Sequence, residues 1–263
     1  MSPPIKGGEI SYIPSPLAGE GYGEGDFHVK TGNFYGIGLG PGDPELLTLK
    51  ALHAIQKADC IFVPKSDTKE DSLALEIVKD YVKGKKVIEQ VYPMTKDKSI
   101  LNSAWRKAAE EIHAEVTAGH NAVYLTLGDP MTFSTYIYLL RCLTTMLPAH
   151  AIHTIPGITS YNAAACAANY PLLTGDERLA VIPVPKDITE LRPILKSFDT
   201  VVMMKVAKKL DEVIQLLEDM KLSDNALFAS YVGQKNVYLT FDLVSLIGSN
   251  KGYLSVLIVK KRK

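Results

Sequence analysis

Two stretches of this 263-residue chain end an apolar run on the same turn, Gly-Asp-Pro. Residues 33–50 read NFYGIGLGPGDPELLTLK, and residues 122–135 read AVYLTLGDPMTFST. In the first, Phe34 to Leu39 has the look of a buried strand. Gly40, Pro41 and Gly42 then form a turn, Asp43 is placed to cap a helix, and Pro44 takes the first helical position, where a missing N–H costs nothing. Leu46, Leu47, Leu49, Leu52 and Ile55 supply an apolar stripe at helical spacing. A strand, a glycine turn and a helix start in succession bring backbone close to a small ligand in α/β proteins. The alternative reading is two well-capped helix starts, and it weakens when the device occurs twice.

A dinucleotide fingerprint does not fit. It needs G-x-G-x-x-G, but from Gly36 the sixth residue is Pro41, and from Gly38 it is Asp43. A phosphate loop of the G-x-x-x-x-G-K-S/T kind is also missing.

From residue 33 onward the chain alternates short apolar runs with helical patterns. Strands are expected at 60–63, 87–91, 122–127, 152–155, 179–183, 200–204, 226–231, 237–240 and 253–259. Helices are expected at 72–83, from Asn102 or Ser103 to Gly119, after the second turn through Tyr136, Leu139, Leu140 and Leu143, at 162–169 and at 208–220. The alanine-rich 162–169 segment implies a close-packed neighbour. Pro148-Ala149-His150 reads as a link between an N-terminal α/β domain, 33–148, and a C-terminal one, 151–263. The fold class is α/β, with a mostly parallel first sheet and a mixed second sheet, because the late strands are closely spaced. Residues 1–32, rich in Gly, Pro, Ser and Glu, read as a disordered tail.

Charge narrows the function classes. Lys plus Arg equals Asp plus Glu at 29 each, which argues against a nucleic-acid binder. Cys60, Cys142 and Cys166 are scattered, as suits free thiols in a reducing compartment. No apolar run is long enough to span a bilayer, and no secretory signal is visible. A cytoplasmic location is expected. His150 and His153 lie three apart without a third candidate ligand, so no bound metal is expected.

The motifs GIGLGPGDPELLTLKA, YLTLGDPMTFST, TIPGITSYNAAA and TVVMMK, in this order, make residues 33–259 similar to the tetrapyrrole methylase family. These are S-adenosylmethionine-dependent enzymes of corrin and sirohaem synthesis. The segments ADCIFVPKS and PLLTGDERLAVIPVP most resemble the members that methylate C20 of precorrin-2 or cobalt-factor II. The resemblance implies a two-domain α/β fold, a homodimer, a tetrapyrrole substrate, and a methyl donor held in the cleft between domains. It implies donor contacts from Pro41, Leu127, Gly128, Asp129, Thr132, Thr159, Ser160, Met204 or Lys205, Tyr231 and Val232. Lys65, Arg178, Lys186 and Lys205 are candidates for the substrate's carboxylates. Uroporphyrinogen methylases of this family carry an aspartate at the end of the second strand; here Pro64 and Lys65 stand there, so that base does not carry over.

Methyl transfer from a sulfonium to an enamine-like meso carbon is an in-line displacement that requires no metal. Holding the two reacting atoms in line lowers a barrier by about 7–11 kcal/mol. A proton must also leave, and Asp43 is the candidate base, in competition with its role as a helix cap. Alternatives are methylation at C11 or C17, a catalytically silent tetrapyrrole-binding protein and a nucleotide-linked oxidoreductase; the broken fingerprint counts against the last.

Overall fold

A computed structural model describes residues 31–66, 72–249 and 251–261. The tail expected over 1–32 lies outside the described residues up to residue 30. Beyond it the chain runs β1 (Phe34–Gly38), α1 (Leu49–Lys57), β2 (Cys60–Ser66), α2 (Leu73–Val78), β3 (Lys86–Tyr92), α3 (Lys98–Thr117), β4 (Ala122–Thr126), α4 (Tyr136–Leu143) and β5 (Ile152–Ile155). These five strands form a parallel sheet in the order β3-β2-β4-β1-β5.

The sheet is covered on both faces, which is why β4 reads as an unbroken apolar run. Its side chains alternate between two cores. Ala122 and Tyr124 face α3 and α4, with Trp105, Ile112 and Tyr136. Val123 and Leu125 face α1 and α2, with Ile55 and Ile77. Gly36, in the middle of β1, lies under the Tyr136 ring, and a Cβ there would stand 2.1 Å from the ring.

The second half continues α5 (Ser160–Ala167), β6 (Leu179–Pro183), α6 (Leu191–Ser197), β7 (Thr200–Met204), α7 (Leu210–Asp219), β8 (Ala226–Ser230), β9 (Tyr238–Thr240) and β10 (Ser255–Lys260). Its sheet has the order β6-β7-β10-β8-β9. Only β6 and β7 pair in parallel, so this sheet is mixed. Helices α6 and α7 pack on one face through Leu195, Val213 and Leu217. On the other, Ala163 and Ala164 of α5 let that helix sit against Val202, Leu227 and Ile258, the close neighbour its alanines imply.

Three expectations need correction. The helix after the first turn is in two pieces: Asp43 caps a 3-10 turn, Pro44–Leu46, Leu47 is extended, and Thr48 caps α1 anew. Leu49 therefore falls outside the apolar stripe and is exposed. Helix α3 starts at Lys98 rather than at 102–103, because the Asp97 carboxylate accepts the Ser99 N–H at 2.8 Å and caps it earlier. Ile152–Ile155 opens no second domain; it pairs with β1 and completes the first sheet, so the chain crosses between sheets after Ile155. Thr31–Lys263 group as one compact unit. No helix among the described residues is long and apolar enough to cross a membrane.

Candidate active site

The loops leaving β1, β4 and β5 meet at the carboxyl edge of the first sheet. Gly40 and Gly128, one from each Gly-Asp-Pro stretch, exchange two backbone hydrogen bonds of 3.1 and 2.7 Å. Gly38, Gly128 and Gly157 stack so closely that a Cβ on Gly157 would lie 2.2 Å from the Gly128 carbonyl oxygen, and one on Gly38 2.6 Å from it. Asp129 ties the loops together. Its Oδ2 accepts the Gly157 N–H at 3.2 Å, and its Oδ1 accepts from the Met131 N–H at 2.9 Å and the Thr132 hydroxyl at 3.2 Å. The loop after β8 closes against the first turn: a Cβ on Gly42 would meet Gln234 Cγ at 2.6 Å, and one on Gly233 would meet Pro41 Cγ at 3.0 Å.

Between these loops lies a cavity of about 600 Å³. Pro41, Leu127, Gly128, Asp129, Thr132, Thr159, Ser160, Met204, Lys205 and Val232, all implied by the resemblance, line it. Of the Met203–Met204 pair only Met204 reaches it, as strand alternation requires, while Met203 is buried in the α7 core. Phe133, Tyr161, Lys208, Gln234, Tyr253 and Leu254 also line it and were not anticipated. The signals were faint: Val232-Gly233-Gln234 extends a stretch already singled out, and Gly252-Tyr253-Leu254 leads into the last strand.

Two features suit a polar small ligand. Thr159 Oγ1 is buried without a protein hydrogen-bond partner, and such an atom is costly unless a ligand or water satisfies it. Gly128, at φ +71°, meets no protein atom within 4 Å of an added Cβ, so its bare backbone faces open space. Backbone strain gathers here as well. Phe133 (φ +54°), Lys205 (+58°), Tyr231 (+51°) and Leu254 (+45°) are left-handed non-glycine residues on the walls of this cavity or the next. Each such residue costs about 1–3 kcal/mol, and such strain clusters at functional sites.

A second cavity, about 710 Å³, adjoins the first. Its walls include Pro64, Lys65, Ser72, Glu76, Thr126, Thr135 and Tyr231. Tyr231, implied by the resemblance for the donor, lines this second cavity rather than the first. Leu127, Gln234, Tyr253 and Leu254 line both. Lys65 pairs with Glu89 at 2.8 Å, and Glu76 with Lys79 at 2.5 Å. The Ser72 hydroxyl donates to the Pro64 carbonyl at 3.2 Å, fixing the end of β2 against α2.

The remaining candidates lie off both walls. Asp43 uses Oδ1 to cap the Glu45 N–H at 2.9 Å, so its capping role is the one the structure shows. Arg178 precedes β6 at the opposite end of that strand from Pro183, about 16 Å away at strand rise. There it donates to the Ser197 carbonyl, lies 3.7 Å from Asp199 and covers the Phe198 ring, a structural role. Lys186 is exposed, and its carbonyl accepts from Lys209 Nζ at 2.7 Å. Burial pushes the Cys60 thiol up to about 11, which keeps it protonated and unreactive. Among the described residues no three of His, Cys, Asp and Glu gather as metal ligands.

Comparison with known proteins adds findings of three kinds: a family model, sequence relatives and solved structures. The family model for tetrapyrrole (corrin/porphyrin) methylases matches residues 33–242. A probable cobalt-precorrin-2 C(20)-methyltransferase of Methanocaldococcus jannaschii is 38% identical over 231 residues, 87% of this chain and 96% of its own. A cobalt-precorrin-2 C(20)-methyltransferase of Salmonella typhimurium is 34% identical over 200 residues, 76% of this chain and 83% of its own. In fold, the chain resembles a cobalt precorrin-4 methyltransferase (TM-score 0.65, 20% identity, 87% of this chain and 94% of that one). It also resembles the uroporphyrin-III C-methyl transferase from Thermus thermophilus complexed with S-adenyl homocysteine (TM-score 0.60, 20% identity, 88% and 98%).

Proposed function

This chain belongs to the tetrapyrrole (corrin/porphyrin) methylase family, and from that premise we propose that it transfers a methyl group from S-adenosylmethionine to C20 of a precorrin-2-type ring. The ring is precorrin-2 or its cobalt-bearing counterpart, cobalt-factor II, in cobalamin biosynthesis. The observation that carries the reading is the pair of adjoining cavities, one walled by the glycine turns and one open beside it. Relatives named as C(20)-methyltransferases support the position of transfer. The proposal includes a homodimer working in the cytoplasm.

The first cavity suits the donor. Its glycine backbone approaches without a Cβ in the way, and Thr159 Oγ1 is free to bond a ligand hydroxyl or amine. Leu127, Met204 and Val232 present apolar surface. Lys205 and Lys208 add cationic groups at the wall for a ligand carboxylate. Asp129 is engaged by three protein donors and therefore shapes the loop. S-adenosylmethionine, when bound, would supply an electrophilic methyl to the acceptor carbon, with sulfur keeping the electron pair of the broken S–C bond and the acceptor carbon giving up a proton. Glu76 is the carboxylate that the described residues place on the second cavity's wall, and it replaces Asp43 as the candidate proton acceptor.

The test is an anaerobic assay with labelled methyl donor, run side by side on metal-free and cobalt-loaded ring and on uroporphyrinogen III. Transfer to one or both precorrin-2-type rings is expected, with the new methyl at C20 by NMR of the product. Methylation of uroporphyrinogen III instead, or a methyl at C11 or C17, overturns the assignment. Light scattering at twice the chain mass checks the homodimer.

A further inference from the structure

Resting on the two-ligand reading above, we propose that Tyr253 is a positioning residue, whose ring holds the flat acceptor at the opening between the two cavities. Four residues, Leu127, Gln234, Tyr253 and Leu254, line both cavities and so form the partition between them. Leu127 comes from the first sheet's loop and the other three from the second sheet's loops. The backbone on either side of Tyr253 is pinned. At Gly252 there is no room for a side chain, because a Cβ would stand 2.4 Å from Ala207 Cα. At Leu254 the chain is held left-handed, at φ +45°, with its carbonyl accepting the Tyr231 N–H at 3.1 Å.

Between these pins the Tyr253 side chain is left open. It is 62% exposed, a large value for an aromatic residue beside a cavity. Its ring centroid lies 6.1 Å from that of Tyr231, with the planes inclined at 59°. A strained Leu254 and a close-packed Gly252 are a costly way to build a loop that only covers a surface. They are a sensible way to fix where one ring projects. An aromatic face that is rigidly mounted and still solvated offers apolar area to a planar conjugated ligand, in offset-stacked or edge-on contact. Its position on the partition puts such a ligand next to both cavities at once.

The experiment compares the wild-type chain with Tyr253→Ala and Tyr253→Phe. It measures KM and kcat for the precorrin-2-type ring, the affinity for S-adenosylhomocysteine by calorimetry, and the unfolding midpoint. For Tyr253→Ala, KM for the ring is expected to rise and kcat to fall, each at least tenfold, with S-adenosylhomocysteine affinity within threefold and the midpoint unchanged. Tyr253→Phe is expected to restore both kinetic constants to within threefold, since the ring and not the hydroxyl does the positioning. The proposal is overturned if Tyr253→Ala keeps KM and kcat within threefold, or if Tyr253→Phe is as impaired as Tyr253→Ala. A parallel loss of S-adenosylhomocysteine affinity and midpoint in Tyr253→Ala also overturns it, in favour of a structural role. A wild-type chain that neither binds S-adenosylhomocysteine nor methylates the ring brings down the functional reading itself, and this inference with it.

Discussion

The two sheets build their shares of the two adjoining cavities by different means. From the first sheet come glycines in left-handed or open conformations, Gly40, Gly42 and Gly128, where backbone is bare. The second sheet contributes Lys205, Tyr231 and Leu254 in comparable left-handed conformations, without using glycine for any of them. Phe133 is the first sheet's own strained residue. Glycine at those second-sheet positions would relieve the strain, so the side chains there are worth more than the backbone comfort they displace. Gly233 and Gly252 show that the second sheet uses glycine too, so the contrast is one of weight: left-handed backbone falls mostly on glycine in the first half and mostly on residues with side chains in the second.

That contrast breaks most easily at Gly157. A methyl group there would press 2.2 Å from the Gly128 carbonyl oxygen, which is backbone and does not give way easily. Gly157→Ala is expected to destabilise the protein by about 3 kcal/mol or more, seen in chemical denaturation, and to abolish S-adenosylhomocysteine binding. Gly128→Ala sharpens the point, because its Cβ meets open space. It is expected to cost about 1–2 kcal/mol from its left-handed backbone alone, while donor affinity falls at least tenfold.

The second sheet should answer in the opposite sense. Lys205→Gly and Leu254→Gly are expected to leave stability unchanged or raise it by about 1 kcal/mol, since relief of strain offsets the entropy of glycine. Turnover is nonetheless expected to fall at least fivefold. A loss of stability as large as that of Gly157→Ala would show that both halves depend on packing alone.

The smallest effect concerns pH, and it separates the halves by where each weakens. In the second, the Lys260 ammonium 2.9 Å from Glu177, aided by Thr174, holds the Glu177 carboxyl down to about 2, against an ordinary 4.5. Its stabilising contribution is therefore complete above pH 4.5 and is lost as pH falls towards 2. Glu177→Gln should flatten the dependence of the unfolding midpoint in that window and lower the midpoint at pH 7, where the ion pair with Lys260 contributes in full. In the first, burial together with Lys50 and His150 lowers the His153 imidazole below its ordinary 6.5. His153 sits on β5 beside Asn33 at 3.1 Å, and its contribution is lost as pH falls below 6.5. Hydrogen exchange should accordingly show the β5 edge loosening at a higher pH than β10. The reverse order would remove His153 and Glu177 as the causes.

Much of the site was legible because its first half is written in local chemistry. A Gly-Asp-Pro turn after an apolar run declares a strand end, and two of them imply a shared edge. Of the residues from Pro41 to Val232 that motif likeness implied for the donor, all but Tyr231 line one cavity. Of the charged candidates, Lys65 lines the second cavity, while Arg178 and Lys186 lie off both walls. All three were chosen for standing near motif ends, but a long charged side chain takes whatever partner the fold brings within reach. Lys65 found Glu89, and Arg178 found Asp199 and Ser197 at the wrong end of its strand.

The strand and helix alternation, the caps at Thr48 and Asp97 and the glycines at the turns are set by residues within a few positions of one another, so the sequence alone determines them. Which sheet β5 joins, and that Gln234, Tyr253 and Leu254 form a wall with Leu127, depends on pairings across more than a hundred residues. Those pairings follow from how two sheets bury their faces together, and that is settled only when the whole core closes.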